Sequence, residues 1–318
     1  MRRAGLLVNP RSGKSSGKGV ALAGKLGGAA SVSLRLLERF EQLPRFLDEL
    51  GRDGVTDLFI SSGDGTVQAI LTELAERHHF AQLPRLALLP HGTTNLSGPD
   101  LGFRAGSLDA QCGFIRNLDA RDLRQRATLR VANPGDGQVR HGLFVGTGAV
   151  AEATYFCQQA FNAKGVKGNW ASFATLASAV GRSLFSPPNP SDPTRLDRPF
   201  PLSVEVNGET LTSGDQLLIM ATTLESLILG TRPFWNRGDG AIRCTTIPYP
   251  VPSVLRWILP VMYGGENRQS PPGCRSFTAS AMAIRSASRF VIDGEFFDPP
   301  AGEPLRIETG PLFSFIRG

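Results

Sequence analysis

Cysteine and histidine are scarce in this chain of 318 residues, with four of each. Cys112, Cys157, Cys244 and Cys274 form no C-x-x-C pair, and His78, His79, His91 and His141 show no metal-ligand spacing. A zinc site and a disulfide framework are thereby excluded as organising devices, and the cysteine usage suits a reducing cytoplasm. Long apolar runs are missing too. None approaches the roughly 18 residues that a spanning helix needs, so any membrane contact is expected to be peripheral. The stretch Gly5 to Val8 follows Arg2 and Arg3 but stops at Asn9-Pro10, too short for a signal segment, so no export is expected. Acidic residues are outnumbered, 28 against 34 Lys and Arg, and the net charge of +6 favours an anionic partner: a nucleotide, an acidic bilayer or nucleic acid. The densest basic stretch, Arg116, Arg121, Arg124, Arg126 and Arg130, is broken by Asp119 and Asp122 and lacks interleaved aromatics. It reads as a solvated face, and no nucleic-acid partner is expected.

What is present is ordinary globular material, 41% hydrophobic and 19% charged, in a chain longer than one core usually supports, so two domains are expected. From Ala4 to about Leu118 short apolar runs (GLLVN, SVSLRLL, DLFIS, RLALLP) alternate with helical segments such as RFLDELG and TVQAILTELAERH. That is the βαβ rhythm of a parallel sheet. Beyond it ATLRVA, GLFVGTG, PLSVEVNG, QLLIMATTL, AIRCTTI, RFVIDGEFF and LRIETG read as strands joined by Gly, Asn and Asp turns. Helices are expected around Trp170 to Leu184 and Pro252 to Tyr263, with a Pro-rich connector from Ser186 to Pro193. The second of these helices, with Trp257 and Tyr263, reads as packed on the sheet rather than as a membrane anchor.

Three loops follow the N-terminal strands. The first, Asn9-Pro10-Arg11-Ser12-Gly13-Lys14-Ser15, is rich in glycine, hydroxyls and positive charge. It is not a Walker loop, because the required earlier glycine is Val8, and an exposed polar turn explains it about as well as a phosphate site. The second, Ser62-Gly63-Asp64-Gly65-Thr66, stands between a strand and a helix. Its glycines allow close backbone approach, and the helix start offers amides and dipole to a phosphate. Asp64 would repel that phosphate unless it holds Mg²⁺ or accepts a proton from an attacking hydroxyl. The competing explanation is a D-G turn with Thr66 as helix cap. The third loop, Pro90-His91-Gly92-Thr93-Thr94-Asn95, leaves the same sheet edge if the strands are parallel, and Thr93 and Asn95 suit phosphate or ribose oxygens.

The ordered set N-P-R-S-G-K at 9–14, S-G-D-G-T at 62–66, P-H-G-T-T-N at 90–95 and D-G-E at 293–295 resembles the diacylglycerol kinase catalytic-domain family, which includes bacterial lipid kinases, sphingosine kinases and ceramide kinases. Arg237 to Gly240 and Gly310 to Leu312 are similar to later segments of that family, so the resemblance runs nearly end to end. It implies an α/β nucleotide-binding domain over 1–122, akin to phosphofructokinase and NAD kinase, with 311–318 as its completion. It implies a β-sandwich domain over 123–310, and ATP in the cleft between. The implied enzyme is a cytoplasmic, Mg²⁺-dependent lipid kinase that visits an anionic membrane surface and phosphorylates a lipid hydroxyl. Position by position, Asn9, Ser12, Gly13, Gly63, Asp64, Gly65, Thr66 and Thr93 match nucleotide-binding positions, with Pro10, Lys14, Ser62, Gly92 and Asn95 beside them in the same loops. Glu295 matches the acidic residue often assigned as general base, and Asp64 competes for that role. The pattern departs at Ser62, usually glycine, and at Leu96, often aspartate. A threonine usually found after the second strand has no clear match near Leu37 and Glu38. Asp293-Gly294 also reads as a two-residue hairpin turn. The rival readings are an NAD kinase, for which Val145 to Ala149 is a poor imitation of the expected G-S-T-A-Y, and a catalytically silent binding protein of the same fold.

Overall fold

The computed structural model describes residues 2–12, 16–92, 96–104, 106–118, 122–162, 195–227, 230–235, 238–251, 254–265 and 268–317, with Gly181, Asn189 and Asp192. Apart from those last three residues, the helix expected around Trp170 to Leu184 and the connector from Ser186 to Pro193 lie outside the described residues, as does Arg237.

The N-terminal alternation builds β1 (Ala4–Val8), α1 (Ser16–Leu26), β2 (Val32–Leu36), α2 (Leu43–Arg52), β3 (Asp57–Ser61), α3 (Asp64–Glu76) and β4 (Arg85–Leu88). The strands run parallel in the order β2-β1-β3-β4. Every residue of β1 and β3 is buried, as parallel strands covered on both faces require. Successive side chains face opposite ways: Leu6, Val8 and Phe59 join Leu22 and Ile115 on one face, while Leu7, Leu58 and Ile60 join Phe46, Leu47 and Ile70 on the other. Helix α2 binds through Leu43, Phe46, Leu47 and Leu50, an i, i+3, i+4, i+7 stripe. The register sets Val8 opposite Ser61 and Ile60 opposite Leu88, so the three loops leave one sheet edge.

Two helices follow, α4 (Gly98–Leu101) and α5 (Leu108–Asn117), before the chain becomes mostly β. The later elements are β5 (Leu123–Val131), β6 (Arg140–Gly142), β7 (Phe144–Gly148), α6 (Ala149–Asn162), β8 (Phe200–Val206), β9 (Glu209–Thr222), β10 (Ile242–Pro248), α7 (Val254–Met262), β11 (Arg275–Ala279), β12 (Ala281–Ser286), β13 (Phe290–Ile292), β14 (Glu295–Phe297) and β15 (Leu305–Ile316). Their antiparallel pairing runs β14-β13-β7-β9-β8-β12-β15. Leu129, Val145, Val204, Ile219, Ile284 and Ile307, drawn from six of these strands, share one core. Strand β15 joins the halves. It lies antiparallel to β12 and β5, its register with β5 shifts between Thr309 and Leu312 around Gly310-Pro311, and Phe315 then pairs parallel with Leu86. A further core mixes Leu7, Leu47 and Ile70 with Phe144, Met220 and Val291, so apolar packing is continuous across the molecule.

Two readings change. Helix α6 was not anticipated, because β7 runs into it without a polar cap signal. The β5 part of the basic stretch is not a plain solvated face, whereas Arg116 is exposed as expected and Arg121 lies outside the described residues. From β5, Arg126 pairs with Asp100 at 3.0 Å and with Glu225, its side chain only 16% exposed. Arg124 reaches Glu225 at 3.1 Å, and Arg130 reaches Glu308 at 3.0 Å. Alternation on a strand places these arginines on one face, where acids from α4 and β15 meet them. Among the described residues no helix is long and apolar enough to cross a membrane.

Candidate active site

At the loop-bearing edge opens a cleft of about 1250 Å³, lined by Asn9, Ser12, Gly63, Asp64, Gly65, Thr66 and Glu295. Asn9 ties the first loop to the second. Its backbone N–H donates to Ser61 O at 3.0 Å, and its side-chain Nδ2 donates to Thr66 Oγ1 at 2.9 Å. Its Oδ1 accepts from Arg11 N at 2.9 Å, and its carbonyl accepts from the Ser12 hydroxyl at 3.0 Å. One asparagine thus fixes the bend of loop one against the start of α3. Pro10 sits within that bend, half-buried.

Gly63 is the N-cap of α3 and has no side chain with which to cap it; its carbonyl accepts from Thr66 N and Val67 N, both at 3.1 Å. Thr66 is therefore a buried first-turn residue bound to Asn9, not the cap. The helix start is left open to the cleft, where amides and dipole favour an anion. Asp64 accepts from Leu96 N at 3.1 Å, which ties the third loop to the second. Ser62 lines a smaller neighbouring cavity, as does Asp64.

The D-G-E segment arrives from the far half of the chain. Asp293 and Gly294 take positive φ values of 47° and 91° in the two-residue turn of the β13–β14 hairpin, with Ile292 opposite Glu295. That turn delivers Glu295 onto Gly65. A Cβ at position 65 would overlap Glu295 Oε1 and lie 2.9 Å from its Cδ. Gln158 of α6 donates to Gly294 O at 2.6 Å and holds the turn. The hairpin explanation holds, and the same bend brings Glu295 to the cleft wall.

Asp293 itself is 6% exposed and accepts from Leu143 N at 2.9 Å and Phe144 N at 2.8 Å. Burial pushes its carboxyl up to about 8, helped by the charge of Asp64 and opposed by the two amides. His91, in the third loop, is buried with Nδ1 2.8 Å from Ser61 Oγ. Burial and then Lys18 hold it below the usual imidazole value. It packs loop three onto β3, and Gly92 beside it is buried as well. Gly13, Lys14, Ser15, Thr93, Thr94 and Asn95 lie outside the described residues.

Sequence reasoning missed several lining residues. Phe40, 51% exposed, stands in the cleft wall with Glu41, immediately after β2, in the region left unassigned. Arg140 and Phe297 also line it, the guanidinium 5.4 Å from the ring centroid. No local motif marks them, since they meet only through tertiary packing. Among the described residues no trio of His, Cys, Asp or Glu side chains is grouped for a metal. The cysteines are bystanders: Cys112, Cys244 and Cys274 are buried free thiols, and burial pushes Cys274 up to about 11.

The chain is similar to known proteins in sequence and in fold. A protein of Streptococcus pneumoniae serotype 4 that bears the name of a lipid kinase is 29% identical over 101 residues, 30% of this chain. The match spans 33% of that relative's length. Two crystal structures of Bacillus anthracis str. Sterne proteins, both titled as diacylglycerol kinases, share the fold. One has TM-score 0.63 and 16% identity, covering 100% of this chain and 97% of the other; the second has TM-score 0.65 and 17% identity, covering 100% and 96%. The family model for the diacylglycerol kinase catalytic domain matches residues 3–125, the stretch that carries the three loops.

Proposed function

We propose that the protein is a lipid kinase that transfers the terminal phosphoryl group of ATP to a lipid hydroxyl. The observation that carries this reading is the meeting of Asn9, the 63–66 turn and Glu295 on one cleft, although Glu295 lies 230 residues beyond Gly65 (295 − 65). The cleft, at about 1250 Å³, is larger than the roughly 300 to 1,000 Å³ of most small-molecule sites and so leaves room for a nucleotide beside an acceptor. The open start of α3 suits its phosphates, and exposed Phe40 offers a face to a base. Lys14, Gly13, Thr93 and Asn95 belong to the same loops and complete the proposed contacts.

Two acidic roles need two carboxylates, because one that binds a cation is thereby a poorer proton acceptor. Asp64 opens a helix at the cleft, beside the free amides that suit phosphate, and we assign it to Mg²⁺. Such ions take one or two carboxylates plus phosphate oxygens, a donor set this cleft can supply. Bound there, Mg²⁺ would offset phosphate charge. Glu295, exposed and beyond the helix, takes the proton of the acceptor hydroxyl. Transfer is direct and in line, with helix amides and loop one orienting the phosphates. The division into a nucleotide domain at 1–122 completed by 311–318 and a second domain at 123–310 is part of the proposal, and the Phe315–Leu86 pairing supports it. The net charge supports cytoplasmic work at an anionic bilayer.

The test incubates the protein with labelled ATP, Mg²⁺ and vesicles carrying diacylglycerol, phosphatidylglycerol, a sphingoid base or ceramide, beside free NAD. Label in a lipid, lost by about 10³-fold in Asp64→Asn and 10²-fold in Glu295→Gln, is expected. Label in NAD, or in no acceptor while ATP still binds, rejects the assignment.

A further inference from the structure

A second cavity, of about 350 Å³, lies beside the Asp64 turn between the ends of β3 and β4 and the short helix α4. Its lining combines Leu88 and Phe103 with Asp64, Arg104 and Arg317. Arg317 is 5% exposed, and its Nε meets no acceptor among the described residues. A guanidinium donor buried without a partner is costly, and proteins keep such an arrangement where a ligand completes it. The backbone holds this one in place. Arg317 N donates to Asp122 O at 2.9 Å, and Arg104 N donates to Arg317 O at 2.9 Å, so the two arginines are neighbours by construction. Among the described residues the Arg104 side chain, 63% exposed, has a long 3.7 Å pairing with Asp122. Burial first, and the charge of Arg104 next, hold the Arg317 guanidinium below its ordinary value, with Asp122 opposing.

We propose that this cavity is an anion site adjoining the nucleotide cleft, with which it shares Asp64 as a wall, taking a phosphate group on Arg317 and Arg104 with any attached carbon skeleton against Leu88 and Phe103. Guanidinium pairs suit phosphate oxygens by fork geometry. The volume stands near the lower end for ligand pockets, enough for a glycerophosphate headgroup. The phosphate has two sources, free inorganic phosphate or the headgroup of a lipid.

The inference concerns binding alone and stands apart from the phosphotransfer assignment. Calorimetry on the full chain, with and without a non-hydrolysable ATP analogue and Mg²⁺, titrates inorganic phosphate and, separately, sn-glycerol 3-phosphate. At least one is expected to bind in both conditions, about tenfold or more weaker in Arg317→Met and several-fold weaker in Arg104→Met. Circular dichroism checks folding, and Arg104→Met carries the test if Arg317→Met does not fold. Tighter binding of glycerol 3-phosphate identifies a headgroup site; equal or tighter binding of inorganic phosphate identifies a free-anion site. Affinities unchanged in both variants, or no binding of either ligand, overturn the proposal. A protein inactive toward every lipid but binding phosphate through Arg317 would sink only the kinase assignment.

Discussion

Gly65 and Asp293 carry the chemistry of closeness at the residue scale. Gly65 has Glu295 pressed where a side chain would begin. Gly65→Ala is therefore expected to push Glu295 aside and slow phosphoryl transfer by roughly tenfold to a hundredfold, with the fold intact by circular dichroism. Asp293 has a carboxyl raised to about 8, chiefly by burial, against an ordinary value near 4. A raised carboxyl favours the protonated folded state, so its contribution is fully present below about pH 4 and is lost as pH rises toward 8. Urea unfolding of the wild type between those limits should show that decline, and Asp293→Asn should flatten it. An unchanged slope in the variant would remove Asp293 as the cause.

Helix α3 is the element that organises the site, and its far end is stapled to the β half. Thr72 Oγ1 accepts from His141 N at 2.9 Å and donates to Gln68 O at 2.9 Å, while Glu76 Oε1 lies 2.7 Å from His141 Nε2. Thr72→Val leaves the His141 amide without its acceptor, a loss of about 1–3 kcal/mol, to be read from the urea midpoint at constant m. Burial holds His141 below its usual value against the pull of Glu76, and the His141 contact holds Glu76 low. Both lowered values mean stability present near neutrality and lost on acidification. This scale was also the most legible in the sequence. The parallel strands, α2, α3 and the D-G hairpin follow from period and turn chemistry, and each formed where its pattern stands. Helix α6 did not announce itself, because nothing at Gly148-Ala149 signals a start.

Across the whole molecule, charge and apolar packing join the halves. Asp100 of α4 is 3% exposed and is held by Arg126 of β5, while Glu225 N donates to its Oδ2 at 2.9 Å. Arg126→Met strips a buried carboxylate of its nearer counter-charge, leaving Arg124 at 4.0 Å, and should cost about 3 kcal/mol, measured as a lower denaturation midpoint. Because one core contains residues from both halves, circular dichroism and Trp fluorescence should report that loss as a single coincident transition.

The sequence by itself determined which residues bend, which alternate and which carry phosphate-compatible groups, since period, glycine placement and turn chemistry are local. It therefore identified the loops at 9–14, 62–66 and 90–95 and the turn at 293–295. Only the tertiary structure decided that Asn9 bonds Thr66, that Glu295 rests on Gly65, that Phe40 and Arg140 share their cleft, and that Arg317 is buried beside Arg104. Those are meetings between segments tens to hundreds of residues apart, set by strand order and core packing, and no local pattern encodes such a distance.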